Sequence, residues 1–79
     1  MPISIDAIRN LLAPGFRGAL DAENVNGDHW DIVVNRDTDA IEVSHPKGKT
    51  VLFSRKDLDD NTYKKDFSSK VREIIRSQR

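Results

Sequence analysis

Ile5, Ile8, Leu11 and Leu12 recur at helical spacing and make one apolar stripe near the start of the chain. Ser4 is placed to cap that helix through its hydroxyl, and Asp6 suits the positive end of the helix dipole. Pro14-Gly15 then predicts the stop, because proline cannot donate to the helical ladder and glycine accepts positive φ. Beyond it the period changes. Phe16, Leu20 and Ala22 alternate with polar positions, as do Trp30, Ile32 and Val34, so the pattern predicts a β-hairpin.

The register of that hairpin follows from its turn. A two-residue Asn26-Gly27 turn would set Glu23 opposite Trp30 and Asp21 opposite Ile32, facing every apolar residue with a charge. A three-residue loop, Val25-Asn26-Gly27 with Gly27 left-handed, instead pairs Ala22 with Trp30 and Leu20 with Ile32. The bulged loop is preferred. Asn35 to Asp39 reads as a polar turn, Ile41 and Val43 mark a third strand, and Pro46-Lys47-Gly48 turns the chain into a fourth marked by Val51 and Phe53. Such short connections require antiparallel neighbours.

Ser54 and Asp57 form a capping pair for a short helical turn over Arg55–Asp60. The last helix begins between Asn61 and Asp66, with Phe67, Val71, Ile74 and Ile75 as its buried stripe. The expected fold class is α+β: an antiparallel four-stranded meander (three to four strands) flanked by N- and C-terminal helices packed on one face. Trp30 lies in the core between them, and residues 1–79 make a single small α+β domain.

The composition supports a small soluble domain. The chain has 79 residues, 37% hydrophobic and 33% charged, so its core is thin. It has no cysteine, which excludes disulfides, thiolate metal sites and cysteine nucleophiles. Neither a membrane span nor the pattern of a signal peptide stands in it, so a cytoplasmic protein is expected. The formal net charge of zero conceals a division at Pro46. Residues 1–46 carry three basic and eight acidic side chains, a net of −5, and residues 47–79 carry ten basic and five acidic, a net of +5.

That division supplies the strongest candidate for function. Lys47, Lys49, Arg55, Lys56, Lys64, Lys65, Lys70, Arg72 and Arg76, with Arg79, converge if the last helix packs beside the fourth strand. Lys64 and Lys65 sit at the helix start, where the dipole disfavours cations, so helix stability does not account for them. The cluster suits phosphates or an acidic protein surface. Of the aromatics only Tyr63 is a candidate to stand exposed beside it, which supports base stacking poorly. Acidic and basic halves also allow a homo-oligomer by charge complementarity, and no cofactor is expected.

Three other groupings carry residue types that could do chemistry. The bulged register sets Glu23 across from His29 and Asp21 across from Asp31, a sketch of a metal or acid/base site, although acidic residues on an open sheet face are ordinarily solvated. Asp57-Leu58-Asp59-Asp60-Asn61 starts like a calcium loop but has Thr62 where glycine is needed and Ser68 where glutamate is. Lys47-Gly48-Lys49-Thr50 lacks the earlier glycine and the following helix of a phosphate-binding loop. His45, before Pro46, reads as a solvated turn residue.

In element order, helix–strands–helix with a basic last helix resembles the double-stranded-RNA-binding domain, with Gly27-Asp28-His29 before a strand and Lys64-Lys65 at the last helix. IRNLLAPGF, GDHW and SHPKGKTV resemble segments of the HicA-type toxin ribonucleases, which share that fold; this resemblance implies a ribonuclease with His29 as general acid/base. The chain departs from them in its longer middle section and in lacking Gly-Ser-His. GDHWDIVV and GKTVLFSR resemble BolA-like proteins, but their spacing is too long and a helix replaces the final strand. No family is assigned on these segments. The leading expectation is a non-enzymatic binding or regulatory module whose basic C-terminal region meets an acidic protein or nucleic acid, with no membrane partner.

Overall fold

The N-terminal helix does not stop at Pro14-Gly15. In the computed structural model, which describes residues 4–60 and 63–78, α1 spans Ile5–Ala22. Ser4 caps it as expected, its Oγ accepting from the Ala7 N–H at 3.2 Å. The buried residues Ile8, Leu12, Phe16 and Leu20 form one line at intervals of four. A stride of four fits a helix, yet it is also a multiple of two, so Phe16 and Leu20 satisfy strand alternation equally well. Burial of the whole line outweighs Pro14, whose exposed ring only deprives the Asn10 carbonyl of a helical donor.

Gly15 serves packing, not termination. A Cβ there would stand 2.8 Å from Cε2 of Phe67 on the last helix. The real stop is Asn24, left-handed at φ 57°. The Asn24 N–H donates to the Asp21 carbonyl at 3.1 Å and the Val25 N–H to the Leu20 carbonyl at 3.0 Å, the double closure of a Schellman ending. The residues expected to form the first hairpin strand are therefore helical, and among the described residues the meander has three strands, not four. Its proposed register, including Ala22 opposite Trp30, falls with it. Asn26 instead caps a 3₁₀ turn over Gly27–His29.

Three strands follow: β1 (Asp31–Asn35), β2 (Ala40–His45) and β3 (Gly48–Phe53), antiparallel in the order β1-β2-β3. Ile32 lies opposite Val43, and Val34 opposite Ile41, on the inner face. A bulge between the Glu42–Val51 and Ile41–Phe53 pairs inserts Leu52, so Leu52 and Phe53 are both buried. Val51 consequently faces outward and is 53% exposed, where simple alternation had paired it with Phe53.

Ser54 and Asp57 form the expected capping box at the head of α2 (Arg55–Asp59). The last helix, α3, is described over Tyr63–Gln78; Asn61 and Thr62 lie outside the described residues. α1 packs on β1 and β2, α3 on β3, and the two helices on each other. Both therefore cover the inner face of the sheet, and Ile32, Ile41, Val43, Phe53, Val71 and Ile75 join Phe16 and Leu20 in one continuous core. Trp30 is buried there as expected. The architecture is α+β, and no described helix is long and apolar enough to cross a membrane.

Candidate cationic face

α3 carries the basic residues because only one of its sides is buried. Tyr63, Val71, Ile74 and Ile75 point into the core, which turns the opposite side to solvent. Lys65, Arg72 and Arg76, spaced by seven and four, share that outward side, with exposed Ser68 and Ser69 between them. Ser68, Ser69, Arg72 and Arg76 line one shallow surface depression together with Glu73. The Ser68 and Ser69 hydroxyls and the Lys65 and Arg72 side chains of this line face water, whereas Arg76 also meets Glu23.

The other basic residues do not converge on it. Lys70 turns toward α2, where its ammonium lies 3.6 Å from Asp57 and 5.3 Å from the centre of the Phe53 ring. Arg55 pairs with Asp59 one turn along α2 at 2.9 Å, beside exposed Lys56. Lys47 projects from the β2–β3 turn and Lys49 from the outer face of β3. Lys64 is exposed but rotated about 100° from Lys65 around the helix. The expected convergence of ten cations therefore reduces, for the nine that are described, to a line on α3 and separate groups at the hairpin and on α2; Arg79 lies outside the described residues.

The charge division also folds back on itself. Arg76 Nε donates to Glu23 Oε1 at 2.6 Å, joining the basic end of the chain to the acidic end of α1. Arg36 meets Asp6 at 2.9 Å, and Arg9 and Arg17 reach Asp31 at 3.2 and 3.7 Å. Lys47, Lys49, Lys56, Lys64, Lys65 and Arg72 form no ion pair among the described residues.

The acidic grouping on the expected hairpin is dispersed. Asp21 and Glu23 end a helix, Asp31 stands opposite Ser44, and His29 lies in the 3₁₀ turn. Among the described residues no three histidine or carboxylate side chains are grouped to hold a metal ion. His29 is exposed and has no hydrogen-bond partner among them to orient its imidazole.

His45 departs from its expected exposure. It is buried at the end of β2, its ring centroid 5.5 Å from that of Trp30. The Lys47 N–H donates to Nδ1 at 3.3 Å, so Nε2 carries the proton and donates to Thr50 Oγ1 at 2.8 Å. The imidazole thereby fastens the β2–β3 turn. Tyr63 is buried as well, edge-on to Phe53, and none of the five aromatic side chains stands exposed.

Sequence reading missed Ser68 and Ser69, whose signal is their position one turn before Arg72, with Ser69 on the side opposite Val71. Comparison of the chain with family models, with curated protein sequences and with solved structures finds no significant match.

Proposed function

We propose that this protein is a non-enzymatic binding module that presents the outward side of α3 to the phosphate backbone of a nucleic acid. The observation that carries the reading is the line of Lys65, Ser68, Ser69, Arg72 and Arg76, exposed together along one side of one helix. Lysine, arginine and serine are the side chains that contact phosphate oxygens, and such contacts position a protein without reading sequence. With every aromatic ring at least partly buried, stacking on bases gains no support, so binding independent of sequence is expected. An acidic protein surface is the competing partner. Glu73, in the same depression, weakens the attraction for either polyanion but does not distinguish between them.

Fluorescence anisotropy with labelled duplex RNA and duplex DNA at low salt tests the reading, with Lys65→Glu/Arg72→Glu as the control. Binding lost in that variant supports it. Absence of binding to both duplexes rejects a nucleic-acid role, and a pull-down comparing the same two proteins then tests the acidic partner.

A further inference from the structure

We propose that β3 is a dimerisation edge, at which a second copy of this chain pairs antiparallel about a twofold axis to make a six-stranded sheet. The sheet has two edges, β1 and β3, and they are treated differently. On β1 the carbonyl of Ile32 accepts from Arg9 Nε at 2.9 Å, and the Ile32 N–H donates to Asp31 Oδ1 at 2.8 Å. Both backbone groups that Ile32 offers outward are occupied by side chains, so β1 cannot take a strand there without losing them.

β3 has no such plug. Because Ile32 points away from β2, the alternation of an antiparallel ladder turns its partner Val43 toward β3 and Val43's partner Thr50 back toward β2. Lys49 and Val51, on either side of Thr50, then aim their N–H and C=O groups outward. No side chain among the described residues bonds to them. Beside them runs an open groove of about 320 Å³, walled by Leu52 and Val51 from β3 and by Lys70, Glu73 and Ile74 from α3.

The occupant that fits is the same surface rotated by half a turn. A twofold axis at Thr50 sets Lys49 opposite Val51 of the second copy, and Val51 opposite its Lys49. Four backbone hydrogen bonds form, no two lysines stand directly opposed, and each lysine stem covers a valine that is now 53% exposed. The same axis runs the two α3 helices antiparallel across the groove, so each lends a lysine and a glutamate to a wall that carries both. The pairing is also closed. Its outer edges are two copies of β1, each plugged by Arg9 and Asp31, which stops growth at two chains.

Sedimentation velocity of the full chain over a wide concentration range tests this. The wild type is expected to reach twice the 9.0 kDa chain mass. Val51→Pro, which removes only an outward N–H, and Val51→Lys, which sets lysine against lysine, are each expected to raise the dimer dissociation constant about tenfold or more. Val51→Glu, opposite Lys49, is expected to dimerise at least as tightly as the wild type. Val51 is solvent-facing, so the lysine and glutamate variants keep the test open should the proline variant fail to fold. A wild type that stays monomeric, or a dimer unaffected by Val51→Lys, overturns the proposal. A dimer that Val51→Glu weakens as much as Val51→Lys does overturns the Lys49–Val51 register.

Discussion

Arg9, on the second turn of α1, lies across the edge of β1 and donates from Nε to the carbonyl of Ile32 at 2.9 Å. Its Nη2 holds Asp31, whose Oδ1 accepts from the Ile32 N–H. One guanidinium thus pins helix to strand and closes the strand edge. Removing a charge-assisted hydrogen bond of this kind costs about 1–2 kcal/mol. Arg9→Ala is therefore expected to lower the melting temperature by roughly 4–8 °C per kcal/mol in a domain of this size. Light scattering should also show assemblies larger than the wild type's, because a second sheet edge has been opened. Arg9→Lys should recover only part of the loss, since an ammonium lacks the fork that serves both partners.

Two glycines of α1 are expected to respond to alanine with opposite sign. A Cβ on Gly15 meets the Phe67 ring at 2.8 Å, whereas a Cβ on Gly18 meets nothing within 4 Å. Gly18→Ala should stabilise by about 0.5–1 kcal/mol through helix propensity. Gly15→Ala gains the same propensity but must displace Phe67, and overpacking costs about 1–3 kcal/mol. The urea midpoints of the two variants are expected to fall on opposite sides of the wild type. If Gly15→Ala were as stable as Gly18→Ala, the close approach of α1 to α3 would not be the reason for Gly15.

These glycines also explain where the sequence was readable. Local signals were reliable wherever the chain itself satisfied them: Ser4 at the head of α1, the Ser54–Asp57 box and the stripe of α3 all stand as read. The error at residues 14–22 came from treating Pro14-Gly15 as punctuation. The demand for Gly15 comes from Phe67, far along the chain, and Asn24 was the local residue that marked the true helix end. The candidate site suffered in the same way. Residue spacing could gather Lys65, Arg72 and Arg76 on one helical side, but it could not show that Lys70 meets Asp57 or that Glu23 meets Arg76. Those pairs join elements whose relative placement only the folded core decides.

The capping box makes one acid-sensitive contact. The backbone N–H and hydroxyl of Ser54 both donate to Asp57 Oδ2, at 3.0 and 3.1 Å. The backbone hydrogen bond above all, with the Ser54 hydroxyl and nearby Lys70 assisting against partial burial, holds the Asp57 carboxyl below its ordinary 3.8. A depressed folded value contributes stability that is complete above the unfolded value and is lost as pH falls through the folded one. Asp57→Asn should therefore melt below the wild type at neutral pH, with the gap narrowing once pH drops under about 4. A gap that stays constant into acid would mean that the carboxylate charge contributes nothing.

His29 separates the binding reading from the ribonuclease one. A general acid/base is ordinarily held in place by a second group, and none among the described residues holds this imidazole. Incubation of the purified chain with labelled RNA is expected to leave the RNA intact for the wild type and for His29→Ala alike. Cleavage by the wild type that His29→Ala abolishes would replace the binding module with an enzyme.

The line on α3 makes a quantitative demand on salt dependence. Each phosphate neutralised by a lysine or arginine releases condensed counterion, so the logarithm of affinity for duplex DNA falls against the logarithm of salt with a slope of about 0.9 per contact. Lys65 and Arg72 have no ion pair among the described residues, whereas Arg76 already shares its charge with Glu23 at 2.6 Å. Lys65→Ala and Arg72→Ala should each reduce the slope by about one, with little change in melting temperature. Arg76→Ala should reduce it by less, because the free protein has already partly neutralised that cation, and should also lower stability by loosening α1 from α3. Slopes unchanged from the wild type in all three variants would show that these side chains do not act as separate phosphate contacts. A slope near zero in the wild type would remove the backbone of a nucleic acid as the partner of this face.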